Sequence, residues 1–141
     1  MKEKQKFYEK RYSRAISKLD TQTKNRVQFF AKNIGTNKKV LEISSGEVMP
    51  FRFYDPSNEI HLIDISRPLL ELAKPYVKKT YHLDIDSNKL PFQNNTFDVV
   101  VAGEIIEHLL FPAQLISECH RVLKPRGIFL GSTPNAFVWR K

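Results

Sequence analysis

The chain has 141 residues, 41% hydrophobic and 27% charged, which places it in the ordinary soluble class with length for one core. No apolar run reaches the roughly 18 residues of a membrane span, and the Lys-rich N-terminus lacks the apolar region of a secretory signal. A single cysteine, Cys119, cannot form an internal disulfide and reads as a small core residue, so a cytoplasmic setting is expected.

The formal charge of +8 is unevenly placed: residues 1 to 40 carry 12 Lys and Arg against three Asp and Glu, the remainder 11 against 12. So basic a start suits either a solvated helical face or contact with an anionic partner such as RNA. Within it, Phe7, Tyr8, Tyr12, Ala15, Ile16 and Leu19 fall near helical spacing and predict an amphipathic helix over Lys6 to Leu19. Asp20 or Thr21 would cap a second helix through Val27, Phe29, Phe30 and Ile34, stopped by Gly35. Residues 1–35 thus read as a basic helical segment ahead of a domain over 36–141.

That domain opens on Val40 to Val48, Val-Leu-Glu-Ile-Ser-Ser-Gly-Glu-Val, a short apolar strand running into a tight turn. Such a strand suits the centre of a parallel sheet, buried on both faces. Glu42 is then an acid in an apolar strand, expensive unless it holds the backbone of the turn or faces a ligand. Gly46 permits a positive φ or a close approach of a ligand to the backbone.

Between Met49 and Asn58 the sequence carries Pro50 and Pro56 with Phe51, Phe53 and Tyr54, leaving room only for a short crossover helix. Glu59 to Asp64 predicts a second strand ending in an acid, where a doubly wound nucleotide-binding fold places the group that takes ribose hydroxyls. Asp64 with Ser66 and Pro68 equally suits the start of a helix, with Ser66 as N-cap. That helix carries Leu69, Leu70, Leu72 and Ala73 and ends or kinks near Pro75. Thr80 to Ile85 reads as a third strand ending in Asp84, an acceptor for an amino group such as that of adenine or the start of an Asx-type turn. Phe97 to Gly103 is a clear fourth strand, Pro112 to Lys124 a helix closed by Pro125 and Gly127, and Ile128 to Gly131 a fifth strand. Strands alternating with helices define an α/β doubly wound pattern.

From Lys39 to Asn135 the sequence resembles class I S-adenosylmethionine (SAM)-dependent methyltransferases. The resemblance is carried by Val40 to Val48, Ile63-Asp64-Ile65-Ser66 and Leu83-Asp84. Leu90-Pro91-Phe92 before Phe97-Asp98-Val99-Val100 adds to it, with Glu107-His108-Leu109, Arg121 to Gly127 and Ser132 to Asn135 completing the set. It implies a mainly parallel Rossmann-like sheet of order 3-2-1-4-5, flanked by helices and lacking the family's last two strands. The first motif departs in having Ser44 and Val48 where the family has glycines. The chain also stops at Lys141, soon after the fifth strand, so that N-terminal helices, a second subunit in a homodimer or further chain would cover the sheet edge.

The resemblance also implies roles. Glu42 would position the first loop near the SAM amino group, with the backbone of Ser44, Ser45 and Gly46 beneath the methionine portion. Asp64 would hold the ribose hydroxyls, with Ile65 on the adenine; Asp84 would accept from the adenine amine, with Ile85 beside the ring. Gly103 and Glu104 would face the sulfonium and the acceptor. His108 is the candidate general base, with Glu107 beside it. Glu104, Glu107 and His108 fall within one turn, a spacing also able to ligate a divalent metal, although the reading without metal is preferred. A small-molecule acceptor is the first expectation. RNA methylation and a non-catalytic interaction domain are the alternatives, and the absence of Gly-x-Gly-x-x-Gly argues against a nicotinamide enzyme.

Overall fold

A computed structural model describes residues 16–87, 89–133 and 136–141, so most of the helix predicted over Lys6 to Leu19, together with Pro134 and Asn135 of the last motif, lies outside the described residues. Helix α1 spans Thr21–Ile34. Its N-cap is Asp20, whose carboxylate accepts from the Thr23 amide at 3.0 Å, and it stops at Gly35, which takes φ 71° and donates to the Ala31 carbonyl. Both ends follow the sequence reading, because a cap acid and a left-handed glycine act through bonds only a few residues long.

Six strands form one sheet in the order β3-β2-β1-β4-β5-β6. They are β1 (Lys39–Ile43), β2 (Glu59–Asp64), β3 (Lys79–His82), β4 (Phe97–Gly103), β5 (Leu123–Ser132) and β6 (Ala136–Arg140). The first five pair in parallel, with β1 between β2 and β4, so the expected 3-2-1-4-5 order holds. The addition is β6, which lies antiparallel on β5 from Ser132↔Ala136 to Ile128↔Arg140 and stacks Trp139 on Phe129 at 4.1 Å between ring centroids.

Three elements differ from the sequence reading. The first crossover is a 3-10 turn, Pro50–Phe53, rather than a helix: Pro50 opens it, and Ser57 donates to the Asp55 carboxylate in an Asx turn that leads into β2. β3 ends at His82, before Asp84, because the Asp84 carboxylate captures the Asp86 amide at 3.0 Å and the Ser87 hydroxyl at 2.6 Å and turns the chain. β5 begins five residues earlier than Ile128, at Leu123, with an irregularity between the pairs Phe97↔Leu123 and Val99↔Ile128. Helix α2, Arg67–Ala73, has Ser66 as N-cap and ends two residues before Pro75, which has no N–H with which to continue the helix.

The sheet is covered on both faces. Val40, Leu62, Val99, Val101 and Leu130 meet Phe30 and Ile34 of α1 and Leu70 and Ala73 of α2. On the other face Leu41, Ile43, Val100 and Phe129 meet Leu115, Cys119 and Val122 of α3, Pro112–Val122. Period-2 alternation in β1 therefore sends Glu42 to the α1 side. Among the described residues no helix is long and apolar enough to cross a membrane.

Phe30 fixes α1 to the sheet. It is fully buried, and a Cβ built on Gly103 would stand 3.1 Å from its ring, so the glycine at the end of β4 makes room for the helix. Phe30→Ala is expected to cost about 3–5 kcal/mol of unfolding free energy in urea titrations; a loss below about 1 kcal/mol would mean that α1 is not part of the core.

Candidate functional site

The carboxyl ends of the parallel strands meet at an open cleft of about 180 Å³. β1 gives it Ser44, β2 gives Ile63, Asp64 and Ile65, and the loop after β3 gives Leu83, Asp84, Ile85 and Asp86. Ile105, His108 and Leu109, after β4, close the remaining side. Five of the residues singled out in the sequence for cofactor binding, Ser44, Asp64, Ile65, Asp84 and Ile85, therefore share one wall, and His108 faces the same space.

Asp64 is 4% exposed, and its two oxygens are unequally used. Oδ1 accepts from the Ser66 amide at 2.8 Å, whereas Oδ2 is buried without a hydrogen-bond partner among the described residues. A buried carboxylate oxygen without a donor is costly, and Oδ2 of Asp64 carries that cost among the described residues. The Ser66 hydroxyl meanwhile caps α2 by accepting from the Leu69 amide, so the helix-start reading of this acid-and-serine pair holds. Asp84 is exposed, and its carboxyl is held below the ordinary range first by the Ser87 hydroxyl and then by the Asp86 amide. Ile65, 63% exposed, presents an apolar surface beside Asp64 without cover from the protein.

The first loop compensates for its missing glycines. Ser44 itself takes φ 56°, with its amide on the Ile63 carbonyl at 2.8 Å, and Gly46 takes φ 56° with open space around it. Ser45 is buried and donates to the Gly46 carbonyl. Val48 does not line the cleft; it packs with Ile16, Val27 and Phe53 under α1.

Glu42 lies behind this loop, fully buried. Its Oε2 accepts from the Tyr54 hydroxyl at 2.9 Å and its Oε1 has no partner among the described residues. Gly103 is packed beneath Phe30 rather than lining the cleft, and Glu104 turns to α1, accepting from Arg26 Nη1 at 2.7 Å. Glu107 and His108 sit in a 3-10 turn, Ile106–His108, with His108 Nε2 3.8 Å from Glu107 Oε1. Among the described residues no group of three or more His, Cys, Asp or Glu side chains is gathered closely enough to hold a metal ion.

Three participants escaped the sequence reading. Tyr54 supplies the donor to Glu42; its signal was only an aromatic residue in an awkward segment. Arg26 sits four residues before Phe30 and next to Val27, a cation inside the apolar stripe of α1, which is the available signal for it. Asp86 spans the cleft wall, accepting from the Leu110 and Phe111 amides at 3.1 and 3.3 Å and so tying the β3 loop to the start of α3.

Residues 41–131 match the methyltransferase domain family, and the chain belongs to it. Over 106 residues it is 33% identical to the ubiquinone/menaquinone biosynthesis C-methyltransferase UbiE of Desulfotalea psychrophila, covering 70% of this chain and 43% of that protein. A shorter stretch of 51 residues, 36% of this chain and 20% of the relative, is 55% identical to a probable S-adenosylmethionine-dependent methyltransferase of Mycolicibacterium smegmatis. The fold is similar to that of an S-adenosylmethionine-dependent methyltransferase from Mesorhizobium loti, with TM-score 0.65, 16% identity, and coverage of 84% of this chain and 55% of that one. The chain spans less than half the length of these two curated relatives.

Burial raises the Glu42 carboxyl from 4.5 to about 8, against the smaller opposing effects of the Tyr54 hydrogen bond and the Arg26 charge. Burial likewise raises Tyr54, with Glu42 adding to it. The fold keeps the Glu42 proton longer than the unfolded chain does, so this group's contribution to stability is fully present below pH 4.5 and is lost as pH rises through about 8. Across that window the unfolding free energy is expected to fall by up to about 5 kcal/mol from this group alone. Glu42→Gln keeps an acceptor for Tyr54 and is expected to flatten this part of the pH profile of urea unfolding; an unflattened profile would assign the slope elsewhere.

Proposed function

We propose that the chain is the cofactor-binding core of a SAM-dependent methyltransferase acting on a small-molecule acceptor. The observation that carries this reading is the unpartnered, buried Oδ2 of Asp64 beside the exposed face of Ile65. An acid at the end of the second strand with one oxygen reserved fits a ribose hydroxyl donor, and an uncovered isoleucine beside it fits the flat apolar face of adenine. Asp84 would accept from the exocyclic amine, and Ile85 would pack at the ring edge. The backbone of Ser44 to Gly46 would lie beneath the methionine portion.

SAM supplies a methyl group on a sulfonium, so its leaving group is already good and no nucleophile from the protein is required. What the residues contribute is alignment of the two reactants and a site from which water is removed. His108, at the cleft with Glu107 beside it, would take a proton from the attacking atom of the acceptor. The acceptor side supports an apolar small molecule: Ile105 and Leu109 line the cleft, and Leu110 and Phe111 beside them are 79% and 59% exposed. The relative from D. psychrophila, named for quinone biosynthesis, supports the same class.

Calorimetry with S-adenosylhomocysteine tests the cofactor site. Asp64→Asn is expected to weaken binding by about tenfold or more with little change in thermal stability; wild-type affinity in the variant would overturn the assignment. For the acceptor, methyl-labelled SAM is incubated with a panel of reduced quinones and with total RNA. Label in an organic-soluble quinol supports the small-molecule reading, and label in RNA alone would overturn it.

A further inference from the structure

Between the end of β4 and the start of α3 the chain carries Ile105, His108 and Leu109, which form one side of the cleft. Among the described residues the backbone of this segment is hydrogen-bonded to other parts of the chain at two points. At its start the Glu104 amide donates to the Ser132 carbonyl at 2.9 Å. At its end two amides donate to the Asp86 carboxylate, Leu110 to both oxygens at 3.1 Å and Phe111 to Oδ1 at 3.3 Å. The turn between them closes on itself, through the His108 amide on the Ile105 carbonyl and the Leu109 amide on the Ile106 carbonyl. It is a short, closed piece of chain held between two anchors.

The second anchor comes from another loop. α3 has no acid in its first turn, and its N-cap, Phe111, makes no side-chain bond. Asp86 supplies that acid from 24 positions before Leu110, and a carboxylate at a helix N-terminus is favoured both by the dipole and by charge-assisted bonds to the free amides. The side chains so placed, Leu110 and Phe111, are largely exposed and add little to the core, so these bonds fix where the segment stands rather than what it buries. Asp86 is itself placed by Asp84, whose Oδ1 accepts from the Asp86 amide at 3.0 Å. A line of hydrogen bonds therefore runs from the Asp84 carboxylate through Asp86 to the residues two and three positions beyond His108.

We propose that Asp86 is a positioning residue that couples the adenine side of the cleft to the acceptor side. This rests on the SAM reading above. A ring amine donating to Asp84, with the ring against Ile85, steadies the loop that carries Asp86. A steadied Asp86 in turn holds the amides of Leu110 and Phe111, and through them Leu109 and His108. The acceptor wall is then best ordered when the cofactor is in place, so the acceptor meets a formed site on the loaded protein. By linkage, the ordered wall tightens cofactor binding by the same factor.

Amide hydrogen exchange of the full chain, followed residue by residue by NMR with and without saturating S-adenosylhomocysteine, tests the coupling. Calorimetry with the same ligand accompanies it for wild type, Asp86→Ala and Asp86→Asn. In wild type the Leu110 and Phe111 amides are expected to exchange slowly and to slow by a further factor of about 5 to 10 when the ligand binds. Asp86→Ala is expected to speed their exchange by about tenfold or more. The ligand should then no longer slow them, and it should bind more weakly by about the same 5- to 10-fold. Asp86→Asn keeps a carbonyl acceptor and is expected to recover part of both effects, which loss of packing alone would not give. Failure of S-adenosylhomocysteine to bind wild type would refute the SAM reading, and the coupling with it. Binding that leaves the two amides of wild type unaffected, or that slows them equally in Asp86→Ala, would overturn the coupling and leave the SAM reading standing; so would unchanged affinity in Asp86→Ala. Where Asp86→Ala is too unstable to measure, Asp86→Asn decides alone, an intermediate ligand effect supporting the coupling and a wild-type one overturning it.

Discussion

Glu42 places a carboxyl group on the α1 face of the central strand, where an ionised and unbonded acid would cost several kcal/mol. The chain meets that cost by keeping the proton on and by bringing a donor, and much of the local architecture follows from it. Tyr54 must stand over the end of β1, so the first crossover has to descend steeply after the loop. The short 3-10 turn at Pro50–Phe53, packed by Phe51 and Phe53, delivers it there. The charge of Arg26 acts on the acid from α1, and Phe30 on the same helix fits against the sheet where position 103 is a glycine.

The acids at the strand ends use their oxygens unequally. Asp64 spends Oδ1 on the Ser66 amide, which turns the chain into α2, and retains Oδ2. Asp84 is spent on its own turn, which explains why it is exposed and already ionised with ease, a suitable state for an acceptor. Asp86 is spent entirely on the amides of Leu110 and Phe111. A cleft between loops would otherwise be wide and shifting; the Asp86 bonds fix the distance between its two walls. An acid engaged in its own turn and an acid that clamps the opposite wall therefore stand two positions apart in the same loop.

What the sequence made legible is what short-range rules govern. The Asp20 cap, the Gly35 stop, the Ser66 cap and the halt before Pro75 each depend on groups within four residues of one another. The five parallel strands were visible as apolar runs bounded by polar turns, and Asp64 and Ser44 reached the cleft because a strand end has only one place to go in a doubly wound sheet. Partners distant in sequence were not legible. Arg26 and Glu104 are 78 positions apart, and nothing local in either announces the other. β6 was missed because Ala136 to Arg140 pairs only with β5, and its apolar character is read as a strand only once that edge is known to be open.

The two missing glycines of the first loop show why composition at a motif position is a weaker guide than conformation. Ser44 adopts the left-handed φ that glycine would have taken, at a cost of about 1 kcal/mol that neighbouring bonds sustain. Val48 needs no such conformation, since its side chain leaves the cleft and joins the cluster under α1. Glu104, at the end of β4, also takes φ 55°, held by its amide on the Ser132 carbonyl at 2.9 Å. The left-handed residues Ser44 and Glu104 thus follow the two central strands, Ser44 at the cleft and Glu104 turned to α1, and strain is retained there only if the surrounding structure over-determines it. The bonds from β2 and β5 do so, and they hold both positions in this conformation without glycine.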